Sequence, residues 1–181
     1  METVFFRSRR TFIIGGARSG KTALAERLAR GCAGPRVYIA TAEAHDAEMA
    51  ERIARHRADR GDAFETLEAP RDLAGALARC DDAEATVVVD CLTLWLSNRL
   101  LDGDDLDAAT AELCDALWTM RARVALVSNE VGLGLVPDTP LGRAFRDAQG
   151  RLNQRVAAVA DAALLVVAGL PVTLKAPEPG A

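Results

Sequence analysis

Thr11-Phe12-Ile13-Ile14-Gly15-Gly16-Ala17-Arg18-Ser19-Gly20-Lys21-Thr22 is the stretch that decides the architecture of this chain. Its first four residues are β-branched or aromatic and read as a short buried strand. Gly15 to Thr22 then follow the pattern G-x-x-x-x-G-K-[ST]. Leu24, Ala25 and Leu28 recur at helical spacing until Gly31 closes the segment. A strand, a glycine-rich turn and a helix N-terminus are the context in which this pattern cradles phosphate. Glycines let the backbone wrap an anion without Cβ clashes. The free N–H groups and dipole of the helix start favour negative charge. Gly15, Gly16, Ala17, Arg18, Ser19, Gly20, Lys21 and Thr22 are therefore expected to bind a nucleoside triphosphate. Lys21 would bridge the β- and γ-phosphates, and Thr22 would ligate Mg²⁺.

Working outward, helices alternate with short apolar strands. The spacing predicts strands over 37–40, 64–67, 86–89, 124–128, 164–168 and 172–174. It predicts helices over 46–60, 72–79, 91–101, 106–120 and 141–161. Asp46 should cap the second helix and Gly61 should stop it. Pro171 should bend the chain between the last two strands. Thr86 to Val89 has no polar alternation, as expected of a strand covered on both faces. The pattern predicts one α/β domain over 1–181, with a mostly parallel sheet and helices on both faces. Residues 1–10 and 176–181 are expected to be flexible ends.

Composition narrows the class. Half of the 181 residues are hydrophobic and 27% are charged, so a core can form. Lys and Arg number 22 against 26 Asp and Glu, a net charge of −4. That balance argues against general nucleic-acid binding, since no basic surplus is present. No apolar run reaches the roughly 18 residues of a membrane span. METVFFRSRR places its apolar residues before its charges, the reverse of a secretory signal. The four cysteines are widely spaced and only two histidines are present, which predicts reduced thiols, no zinc site and a cytoplasmic protein.

Two further sets of residues carry chemistry. Asp90 ends the run Val87-Val88-Val89 and reads either as a carboxylate facing Mg²⁺ or as a helix N-cap. Asn129 and Glu130 leave the strand over 124–128 at the edge where open parallel sheets bind ligands. The acidic run Asp102 to Asp107 reads as a solvated turn and helix cap. His56 continues the Met49/Ile53 stripe and is flanked by Arg52, Arg55, Arg57 and Arg60. It reads either as a partly buried histidine on a solvated helix or as a nucleophilic imidazole among phosphate-binding guanidiniums. Pairing with Glu48 and Glu51 would cancel part of that charge. His45 lies in the preceding loop.

GGARSGKT (15–22), YIATA (38–42), DAEMAERIARH (46–56), VVVDCLTLWLSN (87–98), VSNEVGLGLVP (127–137) and RDAQGRLNQRVA (146–157), in this order, carry a family resemblance. Over residues 11–175 the sequence resembles the bifunctional adenosylcobinamide kinase / adenosylcobinamide-phosphate guanylyltransferase family of cobalamin biosynthesis. The resemblance implies a RecA-like P-loop NTPase fold and two activities in one chain. The first phosphorylates the hydroxyl of adenosylcobinamide with GTP or ATP and Mg²⁺. The second transfers GMP from GTP to that phosphate through a guanylylated histidine, giving adenosylcobinamide-GDP. The position corresponding to that histidine is His56, which with Lys21 makes the catalytic pair. The family's nucleotide contacts fall on the 15–22 loop, on Ala40, Thr41 and Ala42, on Arg57, Ala58, Asp59 and Arg60, and on Glu68 and Asp90. Thr22 and Asp90 are the implied metal ligands, and a homotrimer is the implied assembly. The family commonly has Glu where this chain has Asp90, so the carboxylate here is one methylene shorter. Rival classes are a P-loop small-molecule kinase without a covalent GMP intermediate, a RecA-type module driven by nucleotide, and a regulatory GTPase. The last lacks an N-K-x-D stretch.

Overall fold

The computed structural model describes residues 4–5, 8–44 and 46–177, with the backbone alone at 48, 52, 59 and 60. Its strands are β1 (Arg10–Gly15), β2 (Arg36–Ala40), β3 (Glu65–Glu68), β4 (Thr86–Asp90), β5 (Arg123–Asn129), β6 (Ala162–Val167) and β7 (Leu170–Lys175). Its helices are α1 (Lys21–Arg30), α2 (Ala47–Arg60), α3 (Leu73–Arg79), α4 (Leu92–Leu101), α5 (Leu106–Thr119) and α6 (Pro140–Val159), with a 3₁₀ turn at Gly61–Ala63. The strands form one seven-stranded sheet in the order β3-β2-β4-β5-β1-β6-β7. Every neighbouring pair is parallel except β6–β7, which is antiparallel.

The period-two alternation of the strands divides the core between two faces. Phe12, Ile14, Ile39, Val87, Val89, Val124 and Leu126 pack under α3, α4, α5 and α6. Ile13, Tyr38, Val88, Ala125, Val127, Leu164 and Val166 pack under Leu24, Ala25, Leu28 and Ala29 of α1. Because β4 and β5 are covered on both faces, their apolar residues run without alternation. The sequence reading of a parallel, doubly covered sheet therefore holds. Helix α2 stands apart: none of its described side chains is buried.

The element ends depart from expectation where a polar group has another partner. The last helix stops at Val159, not Asp161. Asp161 turns away because its carboxylate accepts the Arg9 and Arg10 main-chain N–H groups at 3.0 and 2.8 Å. The Arg10 guanidinium adds a 2.7 Å ion pair. Lys175 Nζ donates to the Ala157 and Ala158 carbonyls, at 3.1 and 3.0 Å, and so caps the end of α6. Pro171 does not bend the chain but lies inside β7, an edge strand that needs no N–H from it. The expected flexible start is corrected at Phe5 and Ser8. Phe5 is fully buried in the α1-side core with the Arg123 guanidinium 5.8 Å from its ring, and Ser8 is buried too. Residues 1–3, 6–7 and 178–181 of the two ends lie outside the described residues. The acidic run is engaged with partners: Asp102 pairs with Arg71, Asp104 with Arg99, and Asp105 caps α5. Among the described residues no helix is long and apolar enough to cross a membrane.

Burial alone would raise the Asp161 carboxyl, but the Arg10 side chain and the two main-chain donors outweigh it and hold it below the usual carboxylate range. A depressed folded value stabilises the fold above the unfolded value, and that contribution is lost as pH falls through the folded one. Asp161→Asn is expected to be less stable than the parent by about 1–3 kcal/mol near neutral pH. Denaturant unfolding as a function of pH checks this: the gap should close below pH ~4.

Candidate functional site

The phosphate loop spans the turn from β1 into α1, and two of its glycines, Gly15 and Gly20, are required by close approach or backbone conformation. A Cβ on Gly15 would lie 2.5 Å from the Val166 carbonyl oxygen and 2.6 Å from Ser19 Oγ. Gly20, the N-cap of α1, has φ 95°, and a Cβ there would lie 3.2 Å from Gly169 Cα. Arg18 also adopts a left-handed conformation, with φ 56°. Lys21 is buried and its Nζ donates to the Gly16 carbonyl at 3.1 Å. Ser19 Oγ is buried with no hydrogen-bond partner among the described residues. The Glu130 N–H donates to the Gly15 carbonyl at 3.0 Å and the Gly169 N–H to the Ser19 carbonyl at 2.8 Å.

Strand order brings the carboxylate to this loop. β5 lies between β1 and β4, with Gly15 level with Asn129 and Val127 level with Asp90. Thr22 Oγ1 is 3.4 and 3.3 Å from the two Asp90 carboxylate oxygens, and the Tyr38 hydroxyl donates to Asp90 Oδ2 at 2.5 Å. Asp90 is not a helix cap; Cys91 holds the N-cap position of α4. Thr22 and Asp90 thus present hard oxygen donors face to face. No cluster of three His, Cys, Asp or Glu suited to a metal occurs among the described residues. Two hard oxygens fit Mg²⁺, which takes one or two protein ligands and completes its shell with water and phosphate. Burial, reinforced by the Asp90 charge, pushes the neighbouring Cys91 thiol up to about 11. It stays protonated at neutral pH and is no nucleophile.

Asn129 is clamped between two helices. Its N–H donates to Thr93 Oγ1 at 2.8 Å and its carbonyl accepts Asn153 Nδ2 at 3.1 Å. Asn153 belongs to a buried cluster in which Ser128 Oγ and Gln149 Nε2 both donate to its Oδ1, at 2.8 and 2.9 Å. This is the physical content of Asn129, which sequence reading singled out at the strand exit, and of the 146–157 segment, which it singled out by resemblance. Tyr38 was not singled out. The signal was available: it is the chain's single tyrosine, in an apolar strand two positions before Ala40.

The remaining predicted residues divide into groups. Ala40, Ala42 and Glu68 stand at or just past the ends of β2 and β3, on the same sheet edge as the loop. Thr41 is fully buried and committed to the fold. Its Oγ1 donates to the Cys91 carbonyl at 2.7 Å and accepts the Cys91 N–H at 2.8 Å, and its carbonyl accepts Asn98 Nδ2 at 2.9 Å. His56, Arg57 and Ala58 are exposed on α2, and Arg55 pairs with Glu51 at 2.7 Å. The expected partial burial of His56 is therefore not observed. The side chains of Arg52, Asp59 and Arg60, and all of His45, lie outside the described residues.

His56 and the phosphate loop belong to different elements, the helix that follows β2 and the turn that follows β1. Three strand spacings separate β2 from β1, about 14 Å at ~4.8 Å each. His56 is also nine residues down α2 from Ala47, about 13 Å at ~1.5 Å per residue. A cavity of about 1040 Å³ lies at the opposite sheet edge. Arg10 and Arg121 in its wall are already paired with Asp161 and Asp81.

Comparison with known proteins bears on this geometry. The family model described as cobinamide kinase / cobinamide phosphate guanyltransferase matches residues 11–174. The bifunctional adenosylcobalamin biosynthesis protein CobP of Pseudomonas aeruginosa is 48% identical over 168 residues, 92% of this chain and 97% of that one. The bifunctional adenosylcobalamin biosynthesis protein CobU of Escherichia coli K12 is 39% identical over 178 residues, 90% and 98% of the two chains. Among solved structures, the RadB recombinase superposes with a TM-score of 0.53 at 16% identity, covering 87% of this chain and 74% of its own. That likeness concerns the fold alone, and it agrees with a RecA-like P-loop architecture.

The glycines separate by contact. Gly15→Ala forces a Cβ onto a backbone carbonyl and is expected to destabilise the protein by about 1–3 kcal/mol. Gly16→Ala meets nothing within 4 Å and is expected to stay within about 0.5 kcal/mol of the parent. Thermal unfolding of the two ligand-free variants checks the contrast.

Proposed function

This chain belongs to the cobinamide kinase / cobinamide phosphate guanyltransferase family, and from that premise we propose that it phosphorylates adenosylcobinamide and then transfers GMP from GTP to the resulting phosphate. The observation that carries the reading is the Gly15–Thr22 loop with Thr22 Oγ1 3.3–3.4 Å from Asp90. In the kinase step the acceptor hydroxyl attacks the γ-phosphorus and the nucleoside diphosphate leaves. Lys21, at the start of α1, neutralises charge on the transferred group, and the N-terminal N–H groups of α1 orient the phosphates. Mg²⁺, held by Thr22 and Asp90, would supply charge neutralisation across the phosphate oxygens.

In the transfer step an imidazole nitrogen of His56 attacks the α-phosphorus of GTP and pyrophosphate leaves. The phosphate oxygen of the acceptor then displaces the imidazole, giving adenosylcobinamide-GDP. Exposure of His56 on α2 beside Arg57 supports this role, since the imidazole is open to ligand and a guanidinium lies next in sequence. Ala40, Ala42 and Glu68, with the Arg57–Arg60 stretch, are the proposed nucleotide contacts; Thr41 serves by fixing the backbone between them. A homotrimer belongs to the same proposal, because a neighbouring copy can complete a site left open in one chain.

Two measurements test the halves separately. Incubation with Mg²⁺ and GTP labelled at the α-phosphate should leave acid-labile label on the denatured protein, and GTP labelled at the γ-phosphate should not. His56→Ala should abolish it; label retained by that variant rejects the assignment, and no label on the parent favours a kinase without a covalent intermediate. Separately, Lys21→Ala should slow γ-phosphoryl transfer to cobinamide by about a hundredfold or more, the scale of a lost transition-state contact. A parent-like rate would remove Lys21 from the mechanism.

A further inference from the structure

We infer that Tyr38 is the positioning residue of the Asp90 carboxylate, fixing which of its two oxygens faces the nucleotide's metal. The inference rests on the reading of Thr22 and Asp90 as the Mg²⁺ edge of the phosphate site.

Register places the pair. β2 and β4 are parallel, with Tyr38 level with Val88 and Ala40 level with Asp90. Side chains two apart on a strand share a face, so Asp90 points to the face of Val88 and Tyr38. Tyr38 and Asp90 are then diagonal neighbours on adjacent strands, a separation that a long aromatic side chain spans. The ring of Tyr38 is fixed by packing. It is 2% exposed, lies in the core beneath α1, and meets Phe64 edge-on with centroids 6.0 Å apart at 78°. A ring held in this way delivers its hydroxyl to one point, and that point is Asp90 Oδ2 at 2.5 Å. The length is that of a hydroxyl donating to a charged carboxylate.

Asp90 therefore stands between two hydroxyls of different character. Thr22 belongs to the nucleotide loop, whereas Tyr38 belongs to the core and cannot follow a ligand. An aspartate has one methylene of reach, and its terminal torsion is soft. Occupying Oδ2 sets that torsion: Oδ2 then has both hydroxyls within 3.3 Å, and Oδ1, 3.4 Å from Thr22 Oγ1, is the oxygen that Tyr38 leaves to the metal. This is preorganisation of a single oxygen, and its loss appears in the metal-dependent part of nucleotide affinity. A hydroxyl that merely satisfied a buried acceptor would change stability and leave that part alone.

The test uses the full chain, a non-hydrolysable GTP analogue and calorimetric titration with Mg²⁺ or with EDTA. Tyr38→Phe keeps the ring and removes the hydroxyl. Its affinity in EDTA should match the parent, while its affinity in Mg²⁺ should fall by roughly tenfold, the loss of one charge-assisted hydrogen bond. In an Asp90→Asn background the same change should have no further effect. A parent-like Mg²⁺ affinity in Tyr38→Phe, or an equal loss in the Asp90→Asn background, overturns the inference. A parent that binds the analogue without any Mg²⁺ enhancement overturns the underlying reading as well. Because Tyr38 is the only tyrosine, 3-fluorotyrosine labelling of the unmutated chain gives one ¹⁹F resonance and covers the case of a poorly folded variant. That resonance should shift when Mg²⁺ joins the bound analogue, and not in Asp90→Asn. An unmoved resonance counts against the inference.

Discussion

Two main-chain hydrogen bonds hold the phosphate loop, and much of the carboxyl edge is arranged around them. The Glu130 N–H reaches the Gly15 carbonyl at the loop's entrance, and the Gly169 N–H reaches the Ser19 carbonyl near its exit. The first partner follows β5 and the second is the turn between β6 and β7, so the two strands flanking β1 each brace one end. A loop that gathers amide N–H groups around an anion must keep its shape when no anion is present. Bracing from neighbouring strands supplies that shape. It also explains why Gly15 has no room for a side chain: the loop sits against the Val166 carbonyl and its own Ser19.

The bracing strands are themselves tied down by polar side chains in the helix layer. Thr93 of α4 and Asn153 of α6 grip Asn129 from its N–H and C=O sides. Thr41 and Asn98 do the same at the junction of β2, β4 and α4. Each of these groups is buried, and a buried polar group left without a partner is costly. Satisfying them in pairs across different elements converts that cost into registry, because a strand that slipped by one residue would orphan several at once. The carboxyl edge of the sheet is therefore held by hydrogen-bond satisfaction as well as by apolar packing.

This division governs what could be read from the sequence. The phosphate loop was legible because its glycines, Lys21 and Thr22 are consecutive and their chemistry is local. The doubly covered sheet was legible because Val87-Val88-Val89 carries no polar alternation. Asp90 was legible as a carboxylate at a strand end, but its choice between capping a helix and facing the loop depended on strand order. The insertion of β5 between β1 and β4 is a long-range fact that no window of sequence contains. Tyr38 was missed for the same reason, since its partner lies 52 residues away on another strand. The overlong last helix erred because helical periodicity continues to Asp161, while the carboxylate of Asp161 is claimed by the backbone of Arg9 and Arg10. Phe5 was taken for a loose end because a single aromatic outside any periodic segment does not announce what it will pack against.

The position of His56 has a different logic. Lys21 and Thr22 are fixed by the sheet and by the first turn of α1, whereas His56 rides on a helix with no buried side chain among those described. A group that only stabilises charge gains from rigid placement, because electrostatic stabilisation depends on dipoles set before the reaction. A group that receives a nucleotidyl unit from one molecule and gives it to another must meet two partners in turn. On the proposed role of His56, exposure on α2 meets that need. On the proposed reading the two demands fall on opposite sides of β4: the loop lies toward β1, where both flanking strands brace it, and the helix that carries His56 leaves β2 and returns to β3, where the sheet has fewer neighbours to impose a shape.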